Sequence, residues 1–361
     1  MTVKERWLAA LQLQGLDRLP FWPKINTSYL RAHSAKLKNW QLKDLHYWIG
    51  SDRHEWISGF IREKRKDTCL EQKEENRTFW CVYRTKYGDL TGVMKFDEPS
   101  QSWHPVEFPI KTRDDIKIMT EWFKDAYLEI DEERLASARQ KLREIGSGAV
   151  TAQSIGTTPL MHWVQHLAGI ENCHYFLVDY KDEVAELFDV MEKRLLKNAE
   201  ILAEKSPADI LYLVENTSTT LISPRQYTAY CYPHILKCCQ TLKNSQKLLV
   251  LHMCGHLKAL LPDLAKLPVA GFEAFTSPPV GNTTLLEGRT VCPDKCLIGG
   301  TNAILWTKPA ETIIKELEKE LQVLPHHRGI VITSAGVMPP SCQAETIRKV
   351  CTWVKNYTIK L

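Results

Sequence analysis

Short apolar runs alternate with longer amphipathic stretches through the second half of the chain, and that beat restricts the possible fold more than any other feature. Ala149 to Ile155, Asp209 to Val214, Leu248 to Leu251, Val269 to Phe275, Cys296 to Gly300 and Gly329 to Thr333 each read as a strand of four to seven residues. Between them lie stretches with helical apolar spacing, among them Lys181 to Lys205, Leu257 to Leu267, Pro309 to Leu321 and Ala344 to Tyr357. Ser223 and Pro224 supply an N-cap and a first helical residue for one more. Strands this short, alternating with helices, build parallel βα units. About seven or eight such units in one run predict an α/β chain closed into a (β/α)8 TIM barrel rather than an open sheet. No glycine-rich dinucleotide fingerprint follows any strand.

Residues 1–145 are expected to form an N-terminal helical and strand extension packed on the barrel, with 146–361 as its main body and the whole a single structural domain. A helix from Thr2 to Gln14 ends at Gly15, and Asp17 to Pro23 reads as a short buried strand between prolines. Aromatic-rich helices are expected from Ser28 to about Arg77, and a strand with its turn from Thr78 to Thr91. The basic run Arg62 to Lys66 is followed by Asp67, Glu71, Glu74 and Glu75, which predicts a solvated helix face, not a nucleic-acid patch. Overall charge agrees: 47 basic residues against 43 acidic leave only +4. No window of eighteen apolar residues predicts a membrane span. Eleven cysteines, an odd number, with no apolar signal behind Met1, predict reduced thiols and a cytoplasmic protein.

A parallel barrel carries its chemistry at the C-terminal strand ends. Those ends collect Gln153, Ser154, Glu215, Asn216, His252, Cys254, Glu273, Thr301, Asn302 and the residues after Ser334. His252 and Cys254 stand at i and i+2, so on an extended strand end both side chains share a face. One imidazole and one thiolate aimed together make half of a zinc site.

The stretches VENTSTTLISPRQY, LHMCGHLKALLPDL and LIGGTN resemble the uroporphyrinogen decarboxylase superfamily, which includes the corrinoid-linked methyltransferases of the methylcobamide:coenzyme M type. TVKERWLAALQLQGLDRLPFWP is similar to that superfamily's start, and SIGTTPLMHWVQHLAGIE to its second strand and helix. The decarboxylases carry an arginine-rich N-terminal segment of the RQAGRY type, which the chain lacks. The methyltransferases carry His-x-Cys after a strand, which His252-Met253-Cys254 matches, and a distant cysteine before a proline-rich turn. Here the chain departs from the pattern: Val337 stands where the third zinc ligand is expected, and Cys342 follows five residues on.

The resemblance implies a zinc-dependent methyltransferase that moves a methyl group between a small methylated substrate, or a thiol, and a corrinoid on a separate carrier protein. The implied ligands are His252 and Cys254 with Cys342 and Glu215, although an altered site or no zinc site at all stays open. Glu215 and Asn302 are the catalytic candidates; Asn216, Glu273, His162 and Tyr87 are the substrate-binding ones. Methylcorrinoid would be a co-substrate, since the base-off signature D-x-H-x-x-G is absent. The alternatives are a metal-free decarboxylase using Lys24, Arg84, Lys86 and Arg225 as its cations, and a non-catalytic binding barrel. The clustered Cys231, Cys238 and Cys239 and the pair Cys292 and Cys296 are expected to be packed thiols, and His326-His327 an exposed loop.

Overall fold

The computed structural model describes residues 1–361 apart from 34, 38, 99 and 100. Eight strands form one parallel sheet: β1 (Phe21–Trp22), β2 (His54–Trp56), β3 (Val150–Gly156), β4 (Ile210–Val214), β5 (Leu248–His252), β6 (Gly271–Phe275), β7 (Cys296–Gly299) and β8 (Ile330–Thr333). Their order is β1-β8-β7-β6-β5-β4-β3-β2, so the sheet runs round a full (β/α)8 barrel and ends with its two first strands facing one another. Six strands come from 146–361, as the beat predicts. Two come from within the first 145 residues, which therefore build part of the barrel wall as well as an extension.

The period of two sorts the residues. Val150, Ala152, Ile210, Tyr212, Val250, Cys296, Ile298 and Val331 pack together inside the barrel. Their neighbours Leu211, Leu213, Leu249, Leu251, Phe272, Leu297, Ile330 and Ile332 face outward into the helix layer. Trp7, from the helix Val3–Leu11, joins the interior set and is fully buried. That helix starts in a Thr2–Glu5 capping box and packs on the barrel strands.

Asp52 clasps the seam between β1 and β2. Its backbone N–H donates to Phe21 O at 2.7 Å, and its carboxylate accepts from Phe21 N at 3.0 Å. Arg6 and Arg18 also donate to it, at 2.7 to 2.8 Å, and the carboxylate is wholly buried. The two edge strands, which are not paired with one another in the sheet, are thus joined through one residue.

Between β2 and β3 the chain inserts a four-stranded antiparallel sheet, Cys69–Glu75, Thr78–Thr85, Gly88–Asp97 and Ser102–Glu107, followed by helices Arg113–Lys124 and Glu132–Ile145. This corrects two expectations. Helices end at Ile49, well short of Arg77, and most of the basic run lies in a strand, Ile61–Lys64, paired with Tyr127–Ile130. Its residues alternate between half-buried and exposed, so the charges lie on a strand rather than a helix face. His327 is also buried: its Nε2 meets Leu321 O at 3.0 Å, and its Nδ1 accepts from Lys360 N at 2.7 Å. The other packed-thiol expectations hold, for Cys231, Cys238, Cys239, Cys292 and Cys296 are buried, and all eleven cysteines are free.

Candidate active site

β5 is a buried apolar strand paired on both sides, and its alternation turns His252 inward at the C-terminal end. β6 lies in register so that Glu273 is the Cα partner of His252. The Glu273 carboxylate is 2% exposed and bridges two cations. One oxygen meets Lys24 Nζ at 2.6 Å, and the other meets His252 Nδ1. Lys24 follows β1 in a left-handed backbone conformation and also donates to Ala335 O at 2.9 Å, after β8. Three strand ends therefore converge on one buried carboxylate.

The charges in this line hold each other. Burial pulls the His252 imidazole down, but the Glu273 carboxylate outweighs it and raises the pKa to about 9. Burial pushes Glu273 up, and Lys24 and His252 together bring it down to about 2. His252 is consequently an imidazolium at neutral pH.

Below this line the barrel is aromatic. His54 stacks on Trp22 with ring centroids 4.3 Å apart, and Trp56 meets Tyr212 at 4.9 Å. Trp56 itself is half exposed, at 50%. The Tyr212 hydroxyl and both ring nitrogens of His54 are buried without a hydrogen-bond partner among the described residues.

Beside the line the loop after β5 lifts Cys254 into solvent, with its thiol within hydrogen-bond reach of the His252 ring. The loop is pinned from below. His252 O accepts from the backbone N–H groups of Glu215 and Asn216, both at 3.0 Å, and Ser218 Oγ accepts from His256 N at 3.0 Å. Gly255 is required here, because a Cβ would fall 2.2 Å from the Ser218 Cβ. Cys254 donates to Asn216 Oδ1 at 3.4 Å, and Asn216 Nδ2 donates to Gln165 Oε1 at 2.6 Å. Gln165 comes from a π-helical turn, Trp163–Leu167, a local irregularity frequent at functional sites.

The structure thus gathers His252, Cys254, Glu273 and Asn216 from the expected set, and leaves the others elsewhere. Glu215 turns away from the mouth: its oxygens accept from Thr158 N at 2.8 Å and from the Thr158 hydroxyl. Burial raises its pKa to about 7. Cys342 is buried, its Sγ faces Gln343 O at 3.8 Å, and burial pushes its thiol up to about 12. Asn302 donates to Ser277 Oγ and Pro278 O and accepts from Leu305 N, so it ties a loop together and both amide N–H groups are engaged. His162 packs against Phe123 and His166, and burial lowers it to about 3. Tyr87 is exposed in the turn between two strands of the inserted sheet, beneath Lys86. Trp56, Tyr212 and Gln165 were not among the expected site residues, and Lys24 was named only as a cation of the decarboxylase alternative. Lys24 has no local signal, since its partner lies 249 positions away.

The zinc set His252, Cys254, Cys342 and Glu215 is therefore not assembled. Among the described residues no three His, Cys, Asp or Glu side chains are grouped to hold a metal ion. Glu215 has its oxygens bound to Thr158, Cys342 is buried against its own backbone neighbours, and Val337 is exposed and offers no donor. Two donors remain where a catalytic zinc site needs three.

The family model for uroporphyrinogen decarboxylase (URO-D) matches residues 137–357. Among solved structures, the fold is similar to a methyltransferase from Methanosarcina mazei, at 14% identity and a TM-score of 0.62 over 98% of both chains. It also matches a putative vitamin-B12 independent methionine synthase from Listeria monocytogenes, at 11% identity and a TM-score of 0.43, covering 94% of this chain and 96% of that one. Among curated proteins none matches the sequence. With six of its eight barrel strands inside the matched span, the chain belongs to the uroporphyrinogen decarboxylase (URO-D) family.

Proposed function

We propose that this chain is a methyltransferase that moves a methyl group between a small methylated substrate or thiol and a corrinoid carried by a separate protein. The observation that carries the reading is the His252 ring, anchored through Nδ1 to buried Glu273 and facing Cys254 at the open mouth. When a methyl group leaves an oxygen, nitrogen or sulfur for reduced cobalt, the atom left behind gains an electron pair and needs a proton. The His252 ring, through the nitrogen not bound to Glu273, is placed to give that proton and later regain one from water. In the opposite direction the same nitrogen, once neutral, accepts the proton of an incoming thiol. Glu273 and Lys24 hold the ring in place, and Trp56, half exposed and backed by buried Tyr212, offers an apolar wall for the body of the substrate.

The decarboxylase reading finds less support. Three of its four cations are engaged: Lys24 with Glu273 at the mouth, Arg84 with Glu71 and Asp89, and Lys86 over Tyr87, the last two on the inserted sheet. Anaerobic incubation of the protein with methylcobalamin and a panel of small thiols, followed by the cobalamin absorption spectrum, tests the proposal. Thiol-dependent demethylation that falls about a hundredfold or more in His252→Gln is expected. No turnover with any thiol or any methylated donor, or turnover indifferent to His252→Gln, contradicts it.

A further inference from the structure

We infer that a cleft where β2 and β3 end binds a small carboxylic acid with an apolar body, its carboxylate on Arg194 and its body on Trp56. As a substrate site the cleft rests on the methyl transfer proposed above; as a binding site it stands apart from it.

The cleft has a volume of about 310 Å³, at the lower end of the range for small-molecule sites. Trp56, the last residue of β2, ties it to the reactive line. Its half-exposed ring meets Tyr212 at 4.9 Å, and the Tyr212 phenol lies within reach of the Glu273 charge. Ser154, the Cα partner of Tyr212, lines the cleft from β3 and is exposed.

The far wall is made by the basic run that begins at Arg62. In the strand Ile61–Lys64 the period of two turns Ile61 and Glu63 to one half-buried face and leaves Arg62 and Lys64 exposed. Leu128 is the cross-strand partner of Glu63 and lines the cleft with it. Of all the lining side chains only Glu63 and Arg194 are charged. Both oxygens of Glu63 are claimed, one by Arg65 and the other by Arg194 Nε. Arg65 is itself held 3.1 Å over the centre of the Trp122 ring. Two guanidinium groups thus share one carboxylate, and the terminal amino groups of Arg194 have no hydrogen-bond partner among the described residues.

The helix Lys181–Lys205 carries Arg194, and Asn198, one turn on, ties that helix to the end of β3 by donating to Ile155 O at 2.5 Å. Arg194 is therefore a fork fixed at its Nε side, with paired donors left over. A carboxylate matches such a fork with two parallel hydrogen bonds, and a neutral amide does not. Trp56, Phe60, Ile61 and Leu128 supply the rest of the wall, which suits a hydrocarbon body, above all a flat one on the indole face.

Calorimetric titration of the full-length protein with phenylacetate, and with phenylacetamide as its neutral counterpart, tests this in the wild type, Arg194→Gln, Arg194→Lys and Trp56→Leu. Thermal melts establish that each variant is folded. Phenylacetate is expected to bind the wild type more tightly than phenylacetamide. Arg194→Gln weakens the acid roughly five- to tenfold and leaves the amide unchanged. Arg194→Lys, which keeps the charge but loses the fork, falls between. Trp56→Leu weakens acid and amide alike. Equal binding of acid and amide to the wild type overturns the inference, as does acid binding indifferent to both Arg194 variants. Absence of saturable phenylacetate binding at millimolar concentration overturns it too. Binding is read without cobalamin or a methyl group, so its failure is distinguishable from failure of the methyl transfer.

Discussion

Two of the carboxylates that the molecule buries in ion clusters, Asp52 and Glu273, stand in different settings. At the seam between β1 and β2, Asp52 meets Arg6, Arg18 and two backbone groups, and every partner is fixed by the fold. At the mouth, Glu273 meets Lys24 on one side and an imidazole on the other. The guanidinium partners of Asp52 end the network, whereas His252 has a second nitrogen and passes the effect of Glu273 on to whatever lies in the mouth. A buried charge whose partners are all committed is a clasp. One that leaves a donor facing solvent is reactive machinery.

Breaking each cluster should separate the two roles. Asp52→Ala leaves Arg18 without its carboxylate, strips Arg6 of one of its two and opens the seam, so a stability loss of about 3–5 kcal/mol is expected in denaturant unfolding. His252→Gln, which leaves Glu273 its Lys24 partner, should lose less stability than Asp52→Ala while losing methyl transfer by about a hundredfold or more. If Asp52→Ala were silent in unfolding, the contrast would fail.

Glu273→Gln sharpens the comparison through pH. In the wild type the folded pKa of His252 is raised from 6.5 to about 9. Its stabilising contribution is therefore complete below pH 6.5 and lost as pH rises through 9. The thermal midpoint of the wild type should fall relative to Glu273→Gln across that window, and parallel curves would argue against the pair. A smaller effect of opposite purpose is expected at Glu215. Its folded pKa is raised from 4.5 to about 7 by burial, so the fold holds an extra proton between those values. Stability declines as pH rises through that interval, and Glu215→Gln should flatten the slope in an otherwise matched melting series.

The sequence made the barrel's later strands readable because each is a continuous apolar run between turns, and β3 to β8 lie where the beat puts them. It showed β1 only as part of a short buried strand between prolines and hid β2; the two are two and three residues long and carry no apolar run of the later kind. Their membership in the sheet rests on the Asp52 clasp and on pairing with distant strands, which no local pattern encodes. The site divides the same way. His252, Cys254 and Glu273 lie at strand ends and were nominated for that reason. Glu215 and Asn302 lie at strand ends too, yet they bind Thr158 and the Leu305 turn, because polar residues there also serve as caps. Lys24 and Gln165 reach the mouth only through tertiary folding. Between Glu215 and Glu273, adjacent in kind and setting, only the direction of the side chain decides, and strand register sets it.

The proposed methyl transfer runs through the His252 ring anchored on Glu273, at a mouth where no three metal donors are grouped among the described residues. The most direct measurement is the rate of thiol-dependent methylcobalamin demethylation as a strong zinc chelator, then excess zinc, is titrated into the wild-type protein. A rate unchanged by either is predicted. A rate that collapses with chelator and returns with zinc would contradict it.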